Sequence, residues 1–484
     1  MNAAILLRQK ILDLAIRGKL TKREKGDEPA SLLLARIAAE KEKRGVKVGR
    51  ARTSAAPQPM PDNEKPFDLS NGWVWAKLGE LGIWKAGGTP SRSHREYYRN
   101  GDIPWLKTGD LNDGFIIEIP EKITKRGLES TSARINAPGS VLMAMYGATI
   151  GKLGILAIPA ATNQACCACD LLNCAEPEYL FYYLMAQRQA FIQLGGGGAQ
   201  ANISKEIIVN YQVPVPPVEE QRRIVARIKE LLAAIDQYSA AMGKISNAAN
   251  LMVGKVLDLA IRGKLTKREK GDEPTAALLA RIAAERQKRN SASCRVRVRG
   301  ALPPVSDDEK RFELPEGWEW CRLGEFGEIV LGKMLNRNVQ TGKESEYLCT
   351  INVKWGSFDL SLKKRMRFQD DELKFYDLRK GDLLVCEGGD VGRCAVWQSD
   401  ESYPFQNSLH RIRMFEVMPE YVQMYLHWLG VTGELQRMCS GVTIKHFTVS
   451  IVSRLPIPLP PLAEQKRIVE RVDAILAECR KISQ

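Results

Sequence analysis

Histidine is scarce in this chain, with four among 484 residues: His94, His410, His427 and His446. None is spaced with a serine or cysteine as a nucleophilic constellation, so nothing recommends a Ser-His-Asp site. The phosphate-cradling GxxxxGK[ST] loop is missing too. Gly147-Ala148-Thr149-Ile150-Gly151-Lys152 is one residue short of it and runs on into Leu153. No strand–GxGxxG–helix unit occurs, and Gly195 to Gly198 is a plain glycine run after a helical stretch. No NPPY or DPPY tetrapeptide is present, so the flipped-base pocket of amino-methyltransferases is not encoded. No apolar run reaches about 18 residues, and no membrane helix is expected. The N-terminus, MNAAILLRQKILDLAIRGKL, is broken by Arg8, Lys10 and Asp13 and lacks a small-residue cleavage site, which reads as structure and not as a leader.

Acidic side chains are also in deficit. Lys and Arg total 71 against 57 Asp and Glu, a net charge of +14. An excess of that size speaks to partners, nucleic acid first, though solubility alone would also accommodate it. Eleven cysteines, an odd number, suit a reducing cytoplasmic setting. Cys166, Cys167, Cys169 and Cys174 cluster, but no second CxxC or nearby histidine completes a zinc set, so buried strand cysteines are the expected reading.

What the chain has in abundance is itself. Leu12 to Pro29, LDLAIRGKLTKREKGDEP, returns letter for letter as Leu257 to Pro274. Leu33 to Glu40 returns as Leu278 to Glu285, and Gly72-Trp73-Val74-Trp75 as Gly317-Trp318-Glu319-Trp320. Pro216 to Val225 is echoed by Pro460 to Val469. The period greatly exceeds the roughly 20–50 residues of a solenoid unit, so a whole domain with its connections is duplicated. Between the repeated blocks, Ala86 to Gly198 and Val330 to Gly441 fill the same slot and barely resemble each other.

Periodicity places the elements. Leu7, Ile11, Leu14 and Ala15 have helical spacing, and Gly18, like Gly263, ends that helix. Asp27 and Glu28 before Pro29 suit the cap of a second helix, Pro29 to Arg44. Linkers follow at Gly45 to Glu64 and Asn290 to Glu309, the second holding the basic CRVRVRG. Alternating Trp73 and Trp75, and Trp318 and Trp320, mark strands with one indole inward. Gly139 to Gly147 parallels Gly381 to Gly389 as a buried strand running into a glycine turn. Residues 178–194 and 420–438 read as helices with core aromatics. Each insert leaves through prolines into a helix with one apolar stripe: Ile224, Val225, Ile228, Leu231, Leu232 and Ile235, then Ile468, Val469, Val472, Ile475 and Leu476. In the first copy that helix runs on toward Leu265, about 70 Å at about 1.5 Å per residue, with Gly243 and Gly254 as weak points. The two stripes are expected to pack on each other, antiparallel, as a strut with a globular domain at each end.

The PLPP-x-x-EQ-x-RIV segments (Pro214 to Val225, Pro458 to Val469), the GW-x-W-x-x-LGE strands and Leu14 to Thr21 together resemble the specificity subunit of type I restriction–modification systems, HsdS. The resemblance covers nearly the whole chain. It implies an α+β fold: two α/β target recognition domains separated by two long antiparallel helices (a coiled coil), with a pseudo-twofold internal repeat. The implied organisation is a helical repeat block at 1–44, a linker at 45–66 and a recognition domain at 67–217. A central helical region follows at 218–289, then a linker at 290–311, a second recognition domain at 312–461 and a terminal helix at 462–484. It further implies double-stranded DNA as ligand, read as a bipartite, asymmetric target. Two methyltransferase subunits and the restriction or motor subunits are the implied protein partners. S-adenosylmethionine, ATP and magnesium would be bound by those partners, and this chain would carry no cofactor, no metal and no catalytic centre.

Candidate DNA-reading residues follow from residue type. In the first insert they are Trp105, Lys107, Thr108 and Asp110, with Tyr146, Thr149 and Lys152 beyond the glycine turn. In the second they are Asn352, Lys354 and Trp355, with Glu387, Asp390 and Arg393. The bland reading makes Trp105 and Trp355 core and lets Thr149 and Asp390 shape turns. Asn163-Gln164 and Gln406-Asn407 occupy similar places and read as loop structure before base contact. Two rivals stand beside this reading. One is a metal-dependent nuclease using Asp371-Glu372-Leu373-Lys374; the other is a coiled-coil adaptor that reads no bases.

Overall fold

The computed structural model describes residues 3–46, 66–196, 202–292, 302–334, 342–439 and 446–483. Most of the first linker and the basic CRVRVRG stretch lie outside the described residues. The chain divides into two compact units, Met1–Ala241 and Met242–Gln484. Among the described residues no helix is long and apolar enough to cross a membrane.

The first unit opens with α1 (Ala3–Ile16) and α2 (Ala30–Lys43). Gly18 ends α1 with φ +65°, donating to Ala15 O while Lys19 donates to Leu14 O. These paired bonds satisfy the last carbonyls and need a left-handed residue, which glycine supplies. Gly263 repeats the arrangement at φ +64°, with Lys264 donating to Leu259 O. Asp27 does not cap α2, whose first turn follows Pro29 directly. Its carboxylate instead takes both terminal nitrogens of Arg223, at 3.2 and 2.5 Å.

The insert begins on β1 (Val74–Lys77) and continues through β2 (Ile83–Ala86), β3 (Ile103–Leu106), β4 (Gly114–Ile116), β5 (Lys122–Ile123), β6 (Val141–Ala144), β7 (Leu153–Leu156), β8 (Ala161–Thr162) and β9 (Cys166–Asp170). It closes through α3 (Pro177–Ala186) and β10 (Gln212–Val215). Helix α4 then spans Val218–Ile261. The second unit takes the rest of α4, then α5 (Thr275–Ala292) and ten strands. These are β11 (Glu319–Arg322), β12 (Gly327–Leu331), β13 (Lys343–Tyr347), β14 (Val353–Lys354), β15 (Ser357–Phe358), β16 (Lys364–Phe368), β17 (Leu383–Cys386), β18 (Cys394–Val396), β19 (Leu409–Met414) and β20 (Pro456–Leu459). Helix α6 (Pro419–Val431) precedes β20, and α7 (Leu462–Ser483) follows it.

Two inserts with little sequence in common have the same strand order in their main sheets. The first has the order β2-β9-β6-β7-β4 and the second β12-β19-β17-β18. Strand for strand these coincide, except that β4 adds a parallel edge beside β7. Cys166, Cys167 and Cys169 lie buried on β9, as expected of strand cysteines. Each insert is fastened at its neck by an antiparallel pair, β1 with β10 and β11 with β20, placing Trp75 opposite Pro214 and Trp320 opposite Pro458. Two-stranded pairs have only edges, so proline costs no ladder bond on the open side.

The PxxEQxRIV motif is a set of anchors, repeated bond for bond. Glu220 accepts from Trp73 Nε1 at 3.0 Å and from Thr21 Oγ1 at 3.2 Å. Glu464 accepts from Trp318 Nε1 at 3.0 Å and from Thr266 Oγ1 at 3.1 Å. Gln221 accepts from Glu176 N and donates to Pro216 O; Gln465 accepts from Met418 N and donates to Pro460 O. Arg223 meets Asp27, and Arg467 meets Asp272. From α3, Tyr179 donates to Pro214 O at 2.6 Å, and from α6 Tyr421 donates to Pro458 O at 2.5 Å.

The apolar stripes find partners within their own units. Ile224, Val225 and Ile228 share a core with Leu12, Ala15 and Trp73. Ile468, Val469 and Val472 share one with Val256, Leu257, Ala260 and Ile261. Burying each such side chain contributes about 1.5–3 kcal/mol. Thr21 meets Glu220 and Arg8 meets Asp236, so α1 and α4 run antiparallel; Thr266 with Glu464 and Cys479 with Met252 give α4 and α7 the same sense. Antiparallel pairing is thus present in each unit, between the repeated block and the helix after the insert. The anchors at Glu220 and Glu464 fix those partners.

Candidate nucleic-acid interface

In the first insert two loops converge on the turn between β8 and β9. Asn163 N donates to Leu106 O at 2.9 Å, and Met145 N donates to Ala165 O at 2.8 Å. The turn at Thr108–Asp110 leaves from β3, and the turn at Gly147–Thr149 leaves from β6. Both therefore flank residues 163–165. The second insert repeats this framework: Gln406 N donates to Leu348 O at 3.0 Å, and Glu387 N to Ser408 O at 2.9 Å. Met145 and Glu387 occupy equivalent positions, accepting in turn from Ile203 N and Phe447 N at 2.9 Å each. Lys152 and Arg393 correspond likewise, their carbonyls accepting from Ala144 N and Cys386 N.

Two predicted readers belong to the core. Trp105 is 2% exposed, donates Nε1–H to Gly88 O at 3.0 Å and packs edge-on against Tyr98. Its ring cannot reach a groove. Asn352 is 1% exposed, and its amide donates to Asp359 O and Leu362 O while Oδ1 accepts from Cys349 N. These bonds pin the 359–362 loop, and a fully engaged buried amide has no edge to offer a base.

Three more hold their own turns. Asp110 accepts from Lys107 N at 2.8 Å, Thr149 donates to Tyr146 O at 2.8 Å, and Asp390 accepts from Arg393 Nη1 at 3.2 Å. The others reach the surface to varying degrees. Lys107 pairs with Glu121 at 2.7 Å, beside partly buried Thr108. Tyr146 is 40% exposed, and Lys152 and Lys354 are exposed. Trp355 lies flat on His427, centroids 4.6 Å apart, which covers one face of the ring. Arg393 donates to Thr350 O at 2.8 Å, bringing the second insert's two candidate loops together. Burial pushes the Glu387 carboxyl above the ordinary glutamate range, and His446 opposes that shift.

Reasoning from sequence missed the supports. Arg188 donates to Gly151 O at 2.9 Å and Arg188 Nη2 to Asp113 at 2.5 Å, bracing the first glycine turn. Arg92 stacks over Tyr98 at 4.2 Å and pairs with Glu121 at 2.5 Å. No local pattern announces either. Of the scarce histidines, His410 is buried against Phe447 O at 2.6 Å and burial pulls it down to about 4, so it is a neutral core donor. The nuclease-flavoured fragment is a short helix, Asp370–Phe375, in which Glu372 accepts from Gln369 N and Lys333 neutralises it. That engagement leaves Glu372 poorly suited to hold a metal.

Known proteins match this arrangement along most of its length. A family described as the type I restriction modification DNA specificity domain matches twice, at residues 70–240 and 315–484. The type I restriction enzyme EcoEI specificity subunit of Escherichia coli is 25% identical, over 98% of this chain and 89% of its own. The EcoAI specificity subunit of the same organism is 26% identical with the same coverage. A solved structure from work on complex assembly and conformational transition of the type I R-M system superposes with TM-score 0.60 at 20% identity, over 86% of this chain and 93% of its own. With both inserts inside the matched segments, which cover more than half of the chain, the chain belongs to the type I restriction–modification DNA specificity family.

Proposed function

We propose that this chain is the non-catalytic member of a type I restriction–modification assembly and that each insert reads one half of a split, non-palindromic DNA target. The observation that carries the reading is the pairing of one framework with unlike tips. Both inserts bring two loops to the same turn, yet exposed Tyr146, next to buried Met145, stands where Gly388 does, next to half-buried Glu387, and Lys152 stands where Arg393 does. Identical scaffolds repeated around different surface chemistry suit two different half-sites, each read through the distinct donor and acceptor pattern of the major groove. The DNA contacts retained are Lys107, Thr108, Tyr146 and Lys152 in one insert, and Lys354, Trp355, Glu387 and Arg393 in the other, with exposed Lys152 and Lys354 suited to phosphates. Asp110, Thr149 and Asp390 hold the turns that present them.

The partners in this reading are two methyltransferase subunits, docked on the repeated helices, and restriction or motor subunits. They would supply S-adenosylmethionine, ATP and magnesium in the cytoplasm. The names of the relatives, specificity subunits, and the solved structure from an R-M assembly support it. Methylome sequencing of the host with and without this gene tests it. A bipartite methylated sequence that vanishes with the gene is the expected result, and an unchanged methylome refutes the reading. Adding one helical turn within α4 is expected to alter the gap between half-sites and none of the bases read.

A further inference from the structure

The turn at the meeting point of the loops carries a carboxamide in the same place in both inserts. Asn163 and Gln406 are equivalent by their backbone bonds to Leu106 and Leu348, so the next residues, Gln164 and Asn407, are equivalent as well. The loop role falls to the backbone: Asn163 N, Ala165 O, Gln406 N and Ser408 O close the turns. The side chains of Gln164 and Asn407 are left over from that work. Gln164 is exposed, and its Oε1 accepts from Thr89 Oγ1, which fixes the oxygen end and leaves the amide N–H groups open. Asn407 is half-buried, and its carboxamide has no hydrogen-bond partner among the described residues. The preceding position keeps a carboxamide as well, Asn163 against Gln406, while the flanking loop tips differ, Tyr146 standing where Gly388 does.

A carboxamide offers one acceptor beside two donors, which matches the N6–H donor and N7 acceptor of adenine in the major groove. We infer that Gln164 and Asn407 are specificity-determining residues, each binding the major-groove edge of one adenine in its own half-site. Thr89 is the positioning residue for Gln164. This inference rests on the DNA-reading function proposed above and assigns the base and the residue.

The test uses the full chain. Its preferred duplex is first selected from a randomised pool, and each adenine is then replaced singly by 7-deazaadenine, which lacks the N7 acceptor. The unmodified chain is expected to lose roughly five- to a hundredfold in affinity at one adenine of each half-site, the scale of a good bidentate pair. Gln164→Met is expected to abolish that sensitivity in one half-site only, and Asn407→Leu in the other only, with thermal stability preserved. Unchanged sensitivity in the variants, an even loss across all sequences, or a half-site without adenine overturns the inference while leaving the DNA-reading function intact. Failure of the unmodified chain to select any sequence overturns both.

Discussion

The indole N–H of Trp73 donates to the buried carboxylate of Glu220 at 3.0 Å, joining the start of the first insert to the helix that leaves it, 147 residues away. Thr21 adds a hydroxyl from the repeated block, so one side chain ties three segments. Glu220→Ala strands both donors in the interior, and a buried unsatisfied group costs about 1–3 kcal/mol. Thr21→Val removes only one bond and leaves the carboxylate held by Trp73, so a loss near the lower end of that range is expected. Glu464→Ala should reproduce the larger loss in the second unit, where Trp318 takes the same role. Denaturant unfolding followed separately in each unit checks this; equal effects of Glu220→Ala and Thr21→Val would contradict it.

Asp27 and Asp272 give stability a pH dependence of known sign. Hydrogen bonds from Arg223 and Arg467 hold both carboxyls below the ordinary aspartate range. A depressed folded-state value means the stabilisation is complete above the unfolded value of about 4 and is lost as pH falls through the depressed values. The melting temperature of the unmodified chain should therefore exceed that of Asp27→Asn near neutrality. The gap should narrow as pH drops below about 4. A gap that stays constant into acid would show that the charge contributes nothing.

The repeat made the scaffold legible: helix ends at Gly18 and Gly263, strands at the alternating tryptophans and the α4 stripe all follow from local pattern. What local pattern cannot supply is the distant partner. An aspartate before proline suits a helix cap, yet Asp27 serves Arg223, which lies 196 positions on. Trp105 beside a lysine, threonine and aspartate resembles a reading loop, but an indole's exposure depends on what folds over it, here Tyr98 and Ala161. Asn352 was hidden in the same way, because its partners at 359 and 362 are carbonyls, which leave no trace in residue type. Antiparallel helix pairing was readable from the stripes; that Glu220 and Glu464 tie each helix to the repeated block of its own unit was not.

Core placement turns two former candidates into stability determinants. Trp105→Ala removes a fully buried indole and should cost about 3–5 kcal/mol, with the selectivity of any remaining folded protein for its target unchanged. Asn352→Ala frees Asp359 and Leu362 carbonyls and the Cys349 amide at once, loosening the 359–362 loop beside Lys354. Hydrogen exchange in that loop should rise. A variant of Trp105 that stays as stable as the parent while changing the bases preferred would return this residue to the reading surface.

Lys152 and Lys354 separate affinity from specificity. Both are exposed, Lys152 between β6 and β7 and Lys354 on β14, and neither has an ion-pair partner among the described residues. A lysine free in this way suits a phosphate, and each phosphate neutralised releases counterions and steepens the fall of affinity with salt by a slope of about 0.9. Lys152→Ala and Lys354→Ala should each flatten that slope by about one, and the double variant by about two. Discrimination between the target and a duplex altered at one base should be the same for all three variants and the parent. Affinity titrations over a salt series read both quantities from one data set. A slope that does not move, or a loss concentrated on one base pair, would assign these lysines to base recognition or to no DNA contact at all.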